Sequence, residues 1–401
     1  MWNAAFLLSA ALAIPSSIDV AALRAQGQPA VDRLIADHQR LTQAHRLDAA
    51  ADARFRADID AVCQQFDCAS SGLYWYTDLA AARAEALRSH RPILSLRLLG
   101  NLDEEMSCAN SRYFRTVLYA NRDVAAYLRR NFVLHWSSER PAPVVTIDFG
   151  DGRVMRRTIT GNSIHYLLDE KGQPLDALPG LYAPKPFLAQ LVEMKALFDA
   201  WSKASPASRD GSLSAYHRLR LRSALAAAKR DGKSSEAERR ARLGTPSTAW
   251  EATPLAASKM AGEVPMLMKI SFGVNAVVQQ PAVWLEKLSS SKDFAALDAN
   301  SIDLIRRKRA AAPIADAGSD ADLARLLAKF EETLRRDTLF NEYEMRPRIR
   351  EILVEVPSFE RLNAFVYSSV FRSPRQDEWL GLLPDATFTG LTGEGLQRAS
   401  R

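Results

Sequence analysis

The sequence predicts an α/β unit preceded by helices and followed by an all-helical second half, and three observations carry that prediction. Short apolar runs of strand length, Pro92–Leu99 and Phe132–Trp136, alternate with helix-period segments and end at turn residues. Asp151-Gly152 sits between two runs rich in β-branched residues, a strong hairpin signal because that dipeptide accepts the backbone angles of a tight turn. After Ser202 the texture changes to alanine- and arginine-rich helices divided by prolines. The expected organisation is 1–72 as an apolar segment and helical extension, 73–201 as the α/β domain, 202–212 as a polar linker, and 213–401 as a mostly helical domain.

The 401 residues are enough for two or three domains with their own cores. Hydrophobic residues at 47% and charged residues at 25% are ordinary globular values, so neither a disordered chain nor a fibre is expected. The net charge of +6 is spread along the chain, with Arg239-Arg240-Ala241-Arg242 and Arg306-Arg307-Lys308-Arg309 as its densest runs. Both runs adjoin helical sequence and read as solvated helix faces. Nucleic acid is therefore the last-ranked partner, one that would predict binding lost steeply with salt. Ala4 to Ile14 is apolar but too short to span a bilayer. Ala11-Leu12-Ala13 suits signal cleavage, although no Lys or Arg precedes Arg24, and export is favoured over a cytoplasmic location. No later stretch reaches transmembrane length.

From Ile18 to Phe66 apolar residues recur at spacings of three and four, which predicts helices with His38 and His45 facing solvent. Leu73-Tyr74-Trp75-Tyr76 reads as an aromatic anchor, and Thr77 and Asp78 can cap the helix that follows. Asn121 caps the next helix, after which His135 is either a general base for Cys108 or a hydrogen-bonded core residue. Asp148 and Asp151 either hold a cation or shape the hairpin turn, and His165 packs in a core strand. Phe187 to Trp201 is a long amphipathic helix. Beyond it, helices are expected over Leu213–Arg230, around Met260 to Trp284 and over Ala321–Thr338, then a segment from Phe359 to Phe371. A docking loop is expected over Asp377 to Pro384, and Gly390, Gly393 and Gly395 are too irregular for a phosphate cradle.

Cysteine chemistry supplies the functional candidate. Three cysteines argue against a disulfide-stapled scaffold, and neither they nor the six histidines have zinc spacing. Cys63 and Cys68 form a disulfide, serve as resolving thiols for Cys108, or lie half-buried as small hydrophobes. Cys108 stands where a helix begins. Unpaired amides there favour negative charge and hence the reactive thiolate, provided the sulfur is exposed.

Read in order, an alanine-rich helix (Asp78 to Ala86), Arg91-Pro92-Ile93-Leu94, Cys108-Ala109-Asn110-Ser111 and the strand Gly161 to Gly172 resemble the thioredoxin superfamily. The resemblance spans residues 74 to 200. It implies a thioredoxin-like domain that needs no cofactor or metal, with Cys108 as the nucleophile of thiol-disulfide exchange or isomerisation on protein clients. Cys108 and Ser111 occupy the catalytic motif, and Asn162 and Ser163 line the client groove. Two departures stand out: Ser111 replaces the second cysteine of the motif, and Ser163 replaces its cis-proline. Without a second thiol, Cys108 cannot close a bridge inside its own motif. These departures support the alternative, a redox-inactive scaffold of the same fold that binds a partner protein.

Overall fold

The computed structural model describes residues 18–158, 161–230, 295–313, 319–353, 355, 358–371, 391–392 and 396. The amino-terminal apolar run, the Arg239–Arg242 cluster, the expected helices around 260–284, the docking loop and the three late glycines lie outside these residues.

Three helices open the described chain: α1 (Val20–Gln26), α2 (Gln28–Gln43) and α3 (Ala49–Cys63). Asp19 and Asp48 cap the first and third by accepting the amides of Ala22 and Ala51. Their apolar faces meet in a small cluster of Val31, Leu34, Leu41, Phe55, Ile59 and Val62. His38 belongs to that interior and not to the surface: it is buried, and its Nε2 lies 2.6 Å from Asp52 Oδ1. A short turn α4 (Cys68–Ser71) and α5 (Leu79–Ser89), capped by Asp78 through the amide of Ala80, lead into the sheet.

The fold is mixed α/β. Strands β1 (Ile93–Leu99), β2 (Val133–Arg140), β5 (Ile164–Leu168) and β6 (Pro174–Pro179) form one sheet in the order β2-β1-β5-β6. The β1–β2 pair is parallel, and the β1–β5 and β5–β6 pairs are antiparallel. Every residue of β1, β5 and β6 is buried, which their near-continuous apolar sequence requires. Between β1 and β2 run α6 (Ala109–Tyr113), a π-helical turn Phe114–Leu118, and α7 (Arg122–Asn131), which Asn121 caps through the amide of Val124. Strands β3 (Val144–Asp148) and β4 (Val154–Thr158) form a separate two-stranded arm where the hairpin was expected.

Helices follow: α8 (Pro184–Lys203), α9 (Pro206–Arg230), α10 (Ala299–Ala310), α11 (Asp320–Phe340), α12 (Arg346–Leu353) and α13 (Phe359–Phe365). π-Helical turns Asn341–Met345 and Val366–Val370 extend α11 and α13. Helix α9 begins at Pro206 and so runs through the polar stretch before residue 213. The apolar residues of these helices, among them Leu334, Ile349, Leu362, Val366 and Phe371, join those of the sheet in one continuous cluster. A buried ionic cluster fastens the two parts. Asp176 on β6 accepts from Arg346 Nη2 at 2.7 Å, Tyr216 Oη at 3.1 Å and Arg350 Nη2 at 3.4 Å. Gly180 has φ of 71°, and a Cβ there would stand 2.8 Å from the Asn341 side chain, so the chain after β6 needs glycine on both counts. Among the described residues no helix is long and apolar enough to cross a membrane.

Candidate functional site: the Cys108 helix start

The carboxyl end of β1 positions the cysteine. Gly100, with φ of 72°, turns the chain out of the sheet, and the amide of Cys108 returns to the carbonyl of Leu99 at 3.2 Å. Cys108 then acts as the N-cap of α6, its Sγ accepting the amide of Ser111 at 3.4 Å. The backbone of Gly161 passes directly beside it; a Cβ at 161 would lie 3.0 Å from the amide nitrogen of Ala109. That close approach carries Ser163 into place, with its Oγ 3.3 Å from Cys108 Sγ. Ser111 Oγ pairs with Ser107 Oγ at 3.0 Å.

The structure thus brings together Cys108, Ser111, Asn162 and Ser163, residues up to 55 positions apart in the chain. It also seals them. Cys108, Ser111 and Ser163 have 0% of their surface exposed and Asn162 has 5%, so no solvent path reaches the sulfur in this conformation. On the Asn162 side the chain's own segment 358–371 packs over the group. Tyr367 Oη donates to the carbonyl of Asn162 at 3.1 Å, and Asn162 Nδ2 donates to the carbonyl of Phe371 at 3.3 Å. Two further contacts hold the segment: Tyr166 Oη donates to Asn363 Oδ1 at 3.2 Å, and Arg97 pairs with Glu360 at 2.6 Å. Tyr367 and Phe371 were not foreseen as part of the site. The apolar spacing of 359–371 marks a packed helix, but nothing in the sequence marks what it packs against.

Positive charge near the thiol is directed elsewhere. Arg115 is buried, and burial pushes its guanidinium down from its ordinary value. It clamps the loop after β1 by donating to the carbonyls of Leu102 at 3.1 Å, Glu104 at 2.6 Å and Glu105 at 3.2 Å. Arg112 donates to Ser107 O at 3.2 Å and to Thr158 Oγ1 at 2.9 Å. His135, weighed from sequence as a base for Cys108, is engaged elsewhere, and His165 packs in the core as expected. His135 Nδ1 pairs with Ser95 Oγ at 2.8 Å, and burial with the nearby Arg97 pushes the ring down to about 4. His165 Nε2 pairs with Tyr119 Oη at 2.6 Å, and complete burial pushes it down to about 3. Both rings are therefore neutral near pH 7 and serve the core.

Cys63 and Cys68 are bonded to one another and lie in the cluster of the amino-terminal helices, while Cys108 is free and lies in the sheet cluster. Asp148 and Asp151 serve turn geometry: the first accepts the amide of Gly150 at 2.8 Å, and the second the amide of Arg153 at 3.1 Å. Among the described residues no group of three or more His, Cys, Asp or Glu is placed to hold a metal ion. Comparison with protein-family models, with curated proteins and with solved structures finds no match for this chain.

Proposed function

We propose that this chain is a thioredoxin-like scaffold that binds a partner protein, and that Cys108 serves as a structural N-cap instead of exchanging disulfides with clients. The strand order, the parallel β1–β2 pair and the helix start after β1 support the fold assignment. One observation carries the functional half: the groove beside Cys108, where Asn162 and Ser163 would receive a client, is filled by segment 358–371. Six apolar side chains of that segment, Phe359, Leu362, Val366, Tyr367, Val370 and Phe371, are each at most 7% exposed. Swinging it away as a rigid body would expose them all, at on the order of 10 kcal/mol given about 1.5–3 kcal/mol per large apolar side chain. Clearing the groove by any route exposes these side chains, which favours the covered state. The Cys63–Cys68 bridge belongs in an oxidising compartment and so fits export.

One feature favours the exchange reading. The sulfur already has two neighbours suited to a thiolate, the Ser111 amide and the Ser163 hydroxyl. Alkylation of Cys108 in the native protein separates the two. The scaffold reading expects labelling far slower than that of an exposed thiol, because the covering segment must first come away from the groove. Labelling at neutral pH at the rate of an exposed thiol, with the fold intact, would reject the scaffold reading and restore exchange.

A further inference from the structure

We propose that the β3–β4 arm is a self-association element, in which the free edge of β3 pairs antiparallel with β3 of a second copy about a two-fold axis at Thr146. This goes beyond the scaffold reading and does not rest on it. The argument begins with stability. An isolated two-stranded hairpin is marginal in water, yet among the described residues β3 and β4 pair only with each other. Their described anchors to the body lie at the root, where Thr158 Oγ1 donates to Ser107 O at 2.9 Å and accepts from Arg112. The arm also concentrates exposed apolar surface: Val144 is 42% exposed, Phe149 49% and Val154 56%. Such a ribbon gains most from a further strand.

The register decides which edge can accept one. Phe149 N bonds to Arg153 O, and the pairs descend from there as Asp148–Val154, Ile147–Met155, Thr146–Arg156, Val145–Arg157 and Val144–Thr158. In an antiparallel ladder hydrogen-bonded and non-bonded pairs alternate. The N–H and C=O groups of Ile147 and Val145 therefore point at β4. Those of Val144, Thr146 and Asp148 point outward, and among the described residues no backbone bond meets them.

That outward edge is complementary to itself. With Thr146 opposite Thr146, Val145 falls opposite Ile147 and Val144 opposite Asp148. A threonine pair and two β-branched pairs then face each other, and no like charges do. All three outward residues meet outward residues in this register. On the odd-numbered face Val145 and Ile147 meet their counterparts across the axis, beside Met155 and Arg157 of β4. The β4 edge does the opposite. Centring it on itself sets Arg156 against Arg156, with Arg157 and Arg153 close by, the charged edge that discourages pairing. The occupant this surface fits is thus a second copy of this chain, bound through β3 to make a four-stranded sheet β4-β3-β3-β4.

Sedimentation of the full chain over a wide concentration range tests the proposal, together with the Thr146→Pro variant. Proline removes the outward N–H at the axis while leaving the bonds to β4 in place. The expected result is twice the chain mass for the parent and the single-chain mass for the variant, with an unchanged circular dichroism spectrum. A parent that remains a single chain throughout, as it would if the arm served a different protein, overturns the proposal; so does a variant that still dimerises. A second arm does not depend on proline being tolerated. Directly opposed Cα atoms of a hydrogen-bonded pair are about 5.5 Å apart, within disulfide range. Mild oxidation should therefore cross-link Thr146→Cys between chains and leave Arg156→Cys uncross-linked, and equal cross-linking of the two would also overturn it.

Discussion

At the scale of single residues, two aspartates, Asp176 fully buried and Asp60 partly so, set opposite pH behaviour. Asp176 receives two arginines and a tyrosine, and although burial alone would raise it, Arg346 and Arg350 hold it well below the usual carboxylate range. Its folded value lies below its unfolded one, so its stabilisation is present above about pH 4 and drains away as pH falls further. Asp176→Asn removes the carboxylate that two buried guanidinium groups share, leaving Arg346 with Glu342 at 2.9 Å, and a loss of about 3 kcal/mol is expected at neutral pH, read from the urea midpoint. Asp60 runs the other way. Burial pushes it up to about 7 from 3.8, against the amides of Cys68 and Asp67 that favour its carboxylate. Between those values the folded chain keeps a proton that the unfolded chain has released. Its stabilisation is thus complete below about pH 4 and is lost as pH rises through 7, by at most about 1.4 kcal/mol per pH unit. Urea titrations between pH 4.5 and 7.5 should show that slope in the parent and a flatter one in Asp60→Asn. An unchanged slope would mean that Asp60 does not titrate there.

At the scale of elements, what the sequence discloses depends on whether a signal is local. The strand at 93–99, the Gly150–Gly152 turn and the caps at Asp78 and Asn121 all follow from neighbouring residues and form where their patterns indicate, while the strand expected over Phe132–Trp136 runs on through its polar residues to Arg140. The meeting of Cys108 with Ser163 was expected only from the resemblance, and no local pattern in the sequence marks it. Its covering was not expected. Tyr367 reaches Asn162 across 205 residues, and apolar spacing along 359–371 says only that the helix is buried. His38 misled for a related reason. Its helix position looks polar, but Asp52 of a neighbouring helix supplies a partner 2.6 Å away, and a satisfied polar group can be buried at little cost. Arg115 is the same lesson with a full charge: three backbone carbonyls of the loop 102–105 replace water around it. Long-range partners decide all three cases, and a linear pattern does not contain them.

At the scale of the whole molecule, the sheet and the later helices stand or fall together. Leu334, Ile349, Leu362 and Phe371 from the helices share one apolar cluster with Leu94, Leu96, Tyr166 and Leu178 from the sheet. The Asp176–Arg346–Arg350 group bridges the same boundary with charges that are fully buried only while both sides are present. Separating the two parts would expose apolar surface on both and break the buried ion cluster between them, so a partly unfolded state with an intact sheet has little to stabilise it. The sheet and the described later helices are therefore expected to melt in one transition, with tryptophan fluorescence and far-ultraviolet circular dichroism giving coincident midpoints. The chain cut after Lys203 provides the sharper form of the test. It retains every described strand, yet it lacks the residues that cover β6 and pair with Asp176, and it is expected to aggregate or to lose cooperative unfolding. A soluble fragment with a steep transition of its own would show instead that the sheet is an autonomous unit on which the helices merely rest.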